Sequence, residues 1–455
     1  MQNKNNSLLE GTVGPALLRF ALPFLAASLL QQLYGTVDLL AVGRLSANSA
    51  ASISAVSTGS QLTFSITSVL IGLATGATVL IGQYVGAGRK EDIRRTIGTM
   101  FPLFGLFALA ISILMAALTG PLVSLMQVPD AAVAEARQYL FICALGMIFV
   151  TGYNMVSGIL RGLGDSKTPM VLVIIACILN IIGDIILVGP LQMGAAGAAI
   201  ATVVAQAISF LVSLAVLRRR KDFPFDFKWS SFHLHRAHSL LLLKLGVPVA
   251  FQDFSIGVSF LFITAFINRI GLAESAGVGV VGRVSCIAMI VSTSFMSAIA
   301  AMSAQNIGAE QHKRALSSLR WGIALSFGAS AVLFVLIQLF PGPILSLFTD
   351  EAAVITQGTL YMRSYITDAV LVSFVFCING FLSGCGRTTF CMIISTASTY
   401  GVRVLGTLLV SLIPTATMFH IGMPAPAASL VQIIFQLCYL RFGNWRHNTV
   451  LSEKN

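Results

Sequence analysis

The sequence predicts an all-α polytopic membrane protein, with twelve transmembrane helices arranged as two parallel-repeat lobes of six. Three observations lead there. First, 56% of the 455 residues are hydrophobic and only 10% are charged, with a mean hydropathy of +0.87; an ordinary soluble domain carries roughly 25% charged residues. Second, the apolar runs are about 20 residues long and lack the strict alternation of a barrel strand. Third, two separated motifs recur at one offset. IGQYVGAGRKEDIRRTIG around Gly86 returns as SAQNIGAEQHKRALSSLRWG around Gly308, and SGILRGLGDSKT from Ser157 returns as NGFLSGCGRTTF from Asn379. Since 308 − 86 = 222 and 380 − 158 = 222, the chain reads as an internal duplication.

The elements follow in order. The first 14 residues are polar and lack the apolar core and small-residue cleavage site of a signal peptide; they read as a cytoplasmic tail. Span one, about 16–43, contains Pro23, which removes a backbone donor and predicts a kink. Spans two and three, about 52–82 and 98–120, are joined through a tight turn at Gly86–Gly88. Spans four and five, about 134–160 and 168–189, are joined through Gly162–Gly164, and span six, about 195–217, opens on GAAGAAIAT. The longest polar break, Arg218 to His238, separates the lobes, placing the first at 1–217, a cytoplasmic linker at 218–239 and the second at 240–455. Span seven, about 240–268, carries Pro248, displaced from Pro23 by 248 − 23 = 225. Spans eight and nine, about 277–304 and 317–340, flank the second copy of the first motif. Spans ten and eleven, about 353–383 and 390–413, turn at Gly384–Gly386, and span twelve is about 424–442. Six spans per repeat leave both halves in the same orientation, so they are parallel repeats.

Charge fixes the expected orientation. With the N-terminus inside, 22 Lys and Arg lie on the cytoplasmic side, from Lys4 through Arg89, Lys90, Arg161, Arg218–Lys221 and Arg387 to Lys454. Only Arg44, Arg137, Arg269 and Arg363 fall outside, and Arg283 and Arg403 lie within spans. The bias places both termini in the cytoplasm of a plasma membrane, the inner membrane in a bacterium. It also accounts for the net charge of +11 as topology and contact with anionic headgroups rather than nucleic-acid binding. His233, His235 and His238 cluster in the linker without Cys or carboxylate partners in a fixed frame, so they read as a solvated interfacial loop and not a metal site. The seven Cys lack CxxC spacing and read as small core residues. No G-x-x-x-x-G-K-[ST] occurs, which excludes a nucleotide-driven pump of that kind. The absence of HExxH and GxSxG argues against an enzyme.

The chemistry lies with the acids inside spans. A carboxylate in hydrocarbon costs several kcal/mol and survives where it lines a polar cavity or moves ions. Asp38, Asp184, Asp253 and Asp368 fall in this class. At 1.5 Å per residue, Asp38 lies about 28 Å from Arg19 and Asp184 about 25 Å from Lys167, so the two reach a similar level in the first lobe. Meeting there, they would suit uptake of a proton or a small cation. Asn180 is one turn from Asp184 on the same face, and Thr202 is a further neutral oxygen at a plausible depth. Two carboxylates with neutral oxygens form a hard-oxygen set of the kind Na⁺ prefers. The competing reading makes them separate polar groups that cap helix contacts. In the second lobe Asp368 reads as a cavity acid, and Asp253, about 14 Å above Lys244, faces the inner mouth or pairs locally. Arg283 or Arg403 could neutralise either.

These residues resemble a known family. The ALP start of span one followed by VDLLAVGRL, then GATVLIGQYVGAG, LRGLGDSKTP, LNIIGDIIL and MGAAGAAIAT, with QNIGAE and FLSGCGRT in the second lobe, together resemble the multidrug and toxic compound extrusion (MATE) transporters, the DinF-type branch more than the NorM-type. The resemblance implies a V-shaped pair of lobes and a secondary active efflux antiporter with no ATP and no cofactor. It would act as a monomer, exporting hydrophobic, often cationic organic compounds in exchange for inward H⁺ or Na⁺ by alternating access. By the same resemblance Asp38, Asn180, Asp184 and Thr202 match the cation-site pattern, Pro23 the helix-one bend, and Asp368 an acidic NorM-type position. Ile256 stands where NorM-type members carry a glutamate, so a complete second-lobe cation site is not matched. A flippase for a lipid-linked or amphipathic substrate of the wider superfamily is the alternative, expected to have more helices and a more basic cavity.

Overall fold

The computed structural model describes residues 8–46, 48–220 and 223–452; Lys4, Lys221 and Lys454 lie outside them. The described residues contain twelve helices long and apolar enough to cross a membrane. They are α1 Val13–Leu45, α2 Ser49–Gly86, α3 Lys90–Ala117, α4 Asp130–Gly162, α5 Lys167–Val188, α6 Gly194–Arg219, α7 Arg236–Asn268, α8 Leu272–Gly308, α9 His312–Leu339, α10 Ala352–Gly384, α11 Thr388–Ser411 and α12 Met418–Phe442. Several outrun the apolar runs. α2 has 38 residues, about 57 Å against a hydrocarbon core of about 30 Å, so its ends project past the bilayer. Hydropathy alone misses such polar helical extensions, which explains why α3 begins at Lys90 rather than near residue 98.

The three expected glycine turns are present. Gly88, Gly164 and Gly386 have φ of 68°, 86° and 78°, a left-handed conformation open to glycine at little cost. Each follows a long helix and reverses the chain into the next. α10 is interrupted once, at Ile366, between segments Ala352–Tyr365 and Thr367–Gly384, and α11 contains a π-helical stretch, Thr399–Val404.

The chain divides into two compact units, Ala26–Gly246 and the residues up to Leu25 together with those from Val247 onward. The division differs from one made at the polar linker. It falls inside α1 and α7, two residues after Pro23 and one before Pro248. Packing explains the exchange. Leu17, Phe20 and Phe24 of α1 are buried with Phe295, Ile299, Met302 and Phe381, all of the second unit. The start of α7 is held in the first unit, where Gly246 meets the Leu73 backbone and His238 Nδ1 is 3.0 Å from Thr96 Oγ1.

Within each unit the same helices pair. α2 packs on α4, α3 on α4, α4 on α6 and α5 on α6; in the second unit α8 packs on α10, α9 on α10, α10 on α12 and α11 on α12. The register repeats to the residue. A Cβ on Gly158 would lie 2.8 Å from Ala74 O, and one on Gly380 would lie 2.4 Å from Met296 O; 158 + 222 = 380 and 74 + 222 = 296. A Cβ on Gly162 would meet Thr78 O at 2.9 Å, and one on Gly384 would meet Ala300 O at 2.7 Å. These glycines bring paired backbones into contact, the device by which membrane helices associate when lipid removes the hydrophobic drive.

The linker departs from a solvated loop. Phe225, Phe227 and Phe232 stack around Phe101 of α3. His238 is 2% exposed, with its Nε2 3.7 Å from Asp92 Oδ1, so it is packed rather than solvated. Phe225 and Phe227 carry the segment onto Phe101, with Phe223 stacked on Phe227, while His233 stays exposed and His235 half-buried. All seven cysteines are free thiols.

Candidate cation site

Four side chains from three helices meet inside the first unit. α1 presents Asp38, α5 presents Asn180 and Asp184 one turn apart, and α6 presents Thr202. Burial is near complete: Asp38 is 6% exposed, Asn180 2% and Asp184 0%. The Asp38 carboxyl lies within side-chain interaction range of Asp184, Asn180 and Thr202, and Asn180 Nδ2 donates to Thr202 Oγ1 at 3.2 Å.

The donors run out there. Asp38 Oδ1, both oxygens of Asp184 and Asn180 Oδ1 are shut off from solvent and meet no hydrogen-bond donor. One N–H of the Asn180 amide is given to Thr202. Buried polar atoms are nearly always paired, and a cluster of four orphan oxygens facing one another is repulsive as it stands. It calls for a positive partner, either a proton shared between the carboxyls or a small hard cation ringed by oxygens. Among the described residues no group of three or more His, Cys, Asp or Glu is placed to hold a metal ion, so this set rests on two acids and neutral oxygens.

Local sequence explains the convergence. α5 is the most apolar helix, so the two polar residues beyond its first turn, four apart, face inward together. Gly183 lies against α6, where an added Cβ would be 2.8 Å from Ala201 Cβ; this brings Thr202 to the Asn180 level. Tyr34, one turn before Asp38, and Tyr139 of α4 both feel the Asp38 charge. Sequence reading passed over them. The spacing of four from Asp38 was the available signal for Tyr34; Tyr139 had none.

The second unit is different. Asp368 opens the second segment of α10, is 3% exposed, and accepts a 2.5 Å hydrogen bond from Ser429 Oγ of α12. Arg403 is close enough to interact with Asp368 electrostatically, yet no ion pair within 4.0 Å joins them among the described residues. Asp253 of α7 is partly buried, and neither it nor Arg283 makes an ion pair among the described residues. Of the two readings of Asp253, an ion pair with a neighbour is not formed among the described residues.

Comparison with known proteins agrees with this architecture. The chain is 29% identical over 435 residues to the probable multidrug resistance protein YoeA of Bacillus subtilis, covering 93% of this chain and 92% of that one. It is 28% identical over 453 residues to the probable multidrug resistance protein YpnP of the same organism, covering 98% of each. It superposes on an outward-facing multidrug resistance MATE family transporter of the MOP superfamily with a TM-score of 0.89 at 21% identity, over 97% of this chain and 98% of that one; at that identity the likeness is one of fold. The MatE family model matches residues 23–186 and 248–409, one segment in each repeat. The chain therefore belongs to the MATE family of multi-pass membrane transporters, proteins that are not enzymes and need no cofactor.

Proposed function

We propose that this transporter is a secondary active efflux antiporter, exporting hydrophobic, often cationic organic compounds in exchange for inward H⁺ or Na⁺. The observation that carries the reading is the cluster of orphan oxygens of Asp38, Asp184 and Asn180. An uncompensated pair of buried carboxylates is costly, so the loaded and unloaded states of this site differ in energy by enough to bias a conformational equilibrium. Entry of the coupling ion from outside offsets one of the two charges, relieves their repulsion and favours the state that releases drug outward. Loss of the ion to the cytoplasm restores repulsion and favours the state that takes drug up. Coupling needs only that the ion bind the two states unequally.

Pro23 suits α1 to transmit this change. It lies fifteen residues before Asp38 in the same helix, next to the boundary between the compact units. The relatives' names as multidrug resistance proteins support drugs as cargo. The basic loops support both ends of the chain lying on the cytoplasmic side of a bacterial inner membrane, and the pairing of two repeats within one chain suits a monomer.

The test is uptake of a fluorescent organic cation into proteoliposomes, with Na⁺ and pH gradients imposed separately. The native protein should respond to one of them, identifying the coupling ion. Asp38→Asn and Asp184→Asn should each lower gradient-driven uptake at least tenfold at normal membrane expression. Undiminished uptake by either variant would refute the site.

A further inference from the structure

The second unit carries a cavity of about 170 Å³ whose wall includes Phe260, Ile263, Gly279, Tyr361, Tyr365 and Arg403. Its position in the duplicated plan is informative. Asp38 maps to residue 260 by the glycine-motif offset, 38 + 222, and to 263 by the proline offset, 38 + 225. Both residues line the cavity. Asn180 maps to Val402, beside Arg403, while Asp184 maps to Gly406 and Thr202 to Pro424. Tyr139, in electrostatic range of Asp38, maps to Tyr361, which lies in range of Arg403 and of Asp368. The place of the carboxylates is thus taken by apolar residues and glycine, with one guanidinium added.

That guanidinium is presented by the π-helical stretch of α11; such stretches often mark functional positions. Its Nη2 donates to Tyr365 Oη at 2.8 Å, and its Cζ lies 4.4 Å from the centre of the Phe260 ring. Its Nε is shut off from solvent and meets no acceptor. Asp368 shares its electrostatic surroundings but forms no ion pair with it within 4.0 Å among the described residues, its Oδ1 accepting instead from Ser429. A fixed cation with a donor to spare, set in an aromatic wall, is the inverse of the first unit's site. An apolar cavity of about 150 Å³ takes a benzene ring, so this one has room for a ring or a short alkyl segment.

We propose that this cavity is a binding site for an amphipathic monocarboxylate, with Arg403 receiving the carboxylate and the aromatic wall receiving the apolar body. The site is independent of the antiport reading, because binding alone tests it. Two sources of the ligand share this chemistry, a water-borne aromatic acid and a fatty acid from the bilayer.

The experiment measures binding of 4-butylbenzoate to the purified full-length protein in detergent, and of oleate to the protein in nanodiscs. Native protein should bind at least one of the acids; which one it binds identifies the source. Arg403→Gln should weaken that binding tenfold or more, Arg403→Lys less, and 4-butylbenzyl alcohol should bind weakly and ignore both changes. Gly279→Leu keeps the arginine and tests the cavity separately. A Cβ there meets nothing within 4 Å, so the variant should fold and lose binding by filling the space. Equal affinity for acid and alcohol, unchanged acid binding in a folded Arg403→Gln or Gly279→Leu protein, or binding of neither acid would overturn the proposal.

Discussion

At the scale of single residues, what matters is where a charge finds its partner. Asp165, in the turn between α4 and α5, accepts hydrogen bonds from Thr168 N at 3.0 Å and Thr168 Oγ1 at 2.6 Å, and pairs with Arg220. Burial pushes its carboxyl upward, but the Thr168 and Arg220 contacts outweigh it and hold the group below its ordinary value. A carboxyl lowered in the folded state adds stability above its unfolded pKa of about 3.9 and loses it as pH falls through the folded value. Asp165→Asn should therefore lower the thermal unfolding midpoint at pH 7, by the equivalent of about 1–2 kcal/mol. The deficit should shrink below about pH 4; a deficit that persists unchanged at pH 3 would sink this account. Asp38, Asn180 and Asp184 were legible in the sequence because a polar atom in an apolar run stands out. Arg403 stood out equally, but its role did not, since the residues that define its surroundings, Phe260, Gly279 and Tyr365, are ordinary for a membrane helix.

At the scale of elements, the packing is decided where two backbones touch. Gly158 and Gly380 each admit a neighbouring carbonyl to within 2.8 Å and 2.4 Å of where a Cβ would stand. Gly158→Val and Gly380→Val would force α4 from α2 and α10 from α8. Each should destabilise by about 2–3 kcal/mol, since the obstacle is backbone rather than a side chain that can swing away. Gly105→Ala in α3 is the control: its Cβ meets nothing within 4 Å, and the helical preference for alanine leaves stability equal or raised. Thermal unfolding in one detergent compares all three, and a midpoint for Gly158→Val within the range of Gly105→Ala would contradict the close-approach argument. The helices were readable from hydropathy and the turns from glycine. The polar extensions of α2, α3 and α9 were not, because a projecting helix in water resembles any surface helix and leaves no mark on an apolar average. The linker misled for a related reason, since aromatic residues 223, 225 and 227 pack it down with only local alternation as a clue.

At the scale of the whole molecule, the duplication was visible in the sequence while the exchange of segments was not. A repeat offset reports ancestry, and ancestry draws the boundary at the linker; burial draws it at Pro23 and Pro248. Leu17, Phe20 and Phe24 reside in the core around Ile299 and Met302, where close side-chain packing rather than exclusion from water holds a membrane helix in place. A fragment of residues 240–455 expressed alone would leave that core short of all three and open a gap in its packing. Such a fragment should be degraded in the membrane, whereas co-expression with residues 1–239 should restore it, because the missing helix segment returns with its partner. A fragment 1–25 linked to 247–455 should accumulate better than 240–455 despite lacking the start of α7. Pulse-chase lifetimes of the three decide it. If 240–455 alone lives as long as the intact chain, the α1 segment is dispensable to that core and the linker, not the prolines, is the true boundary.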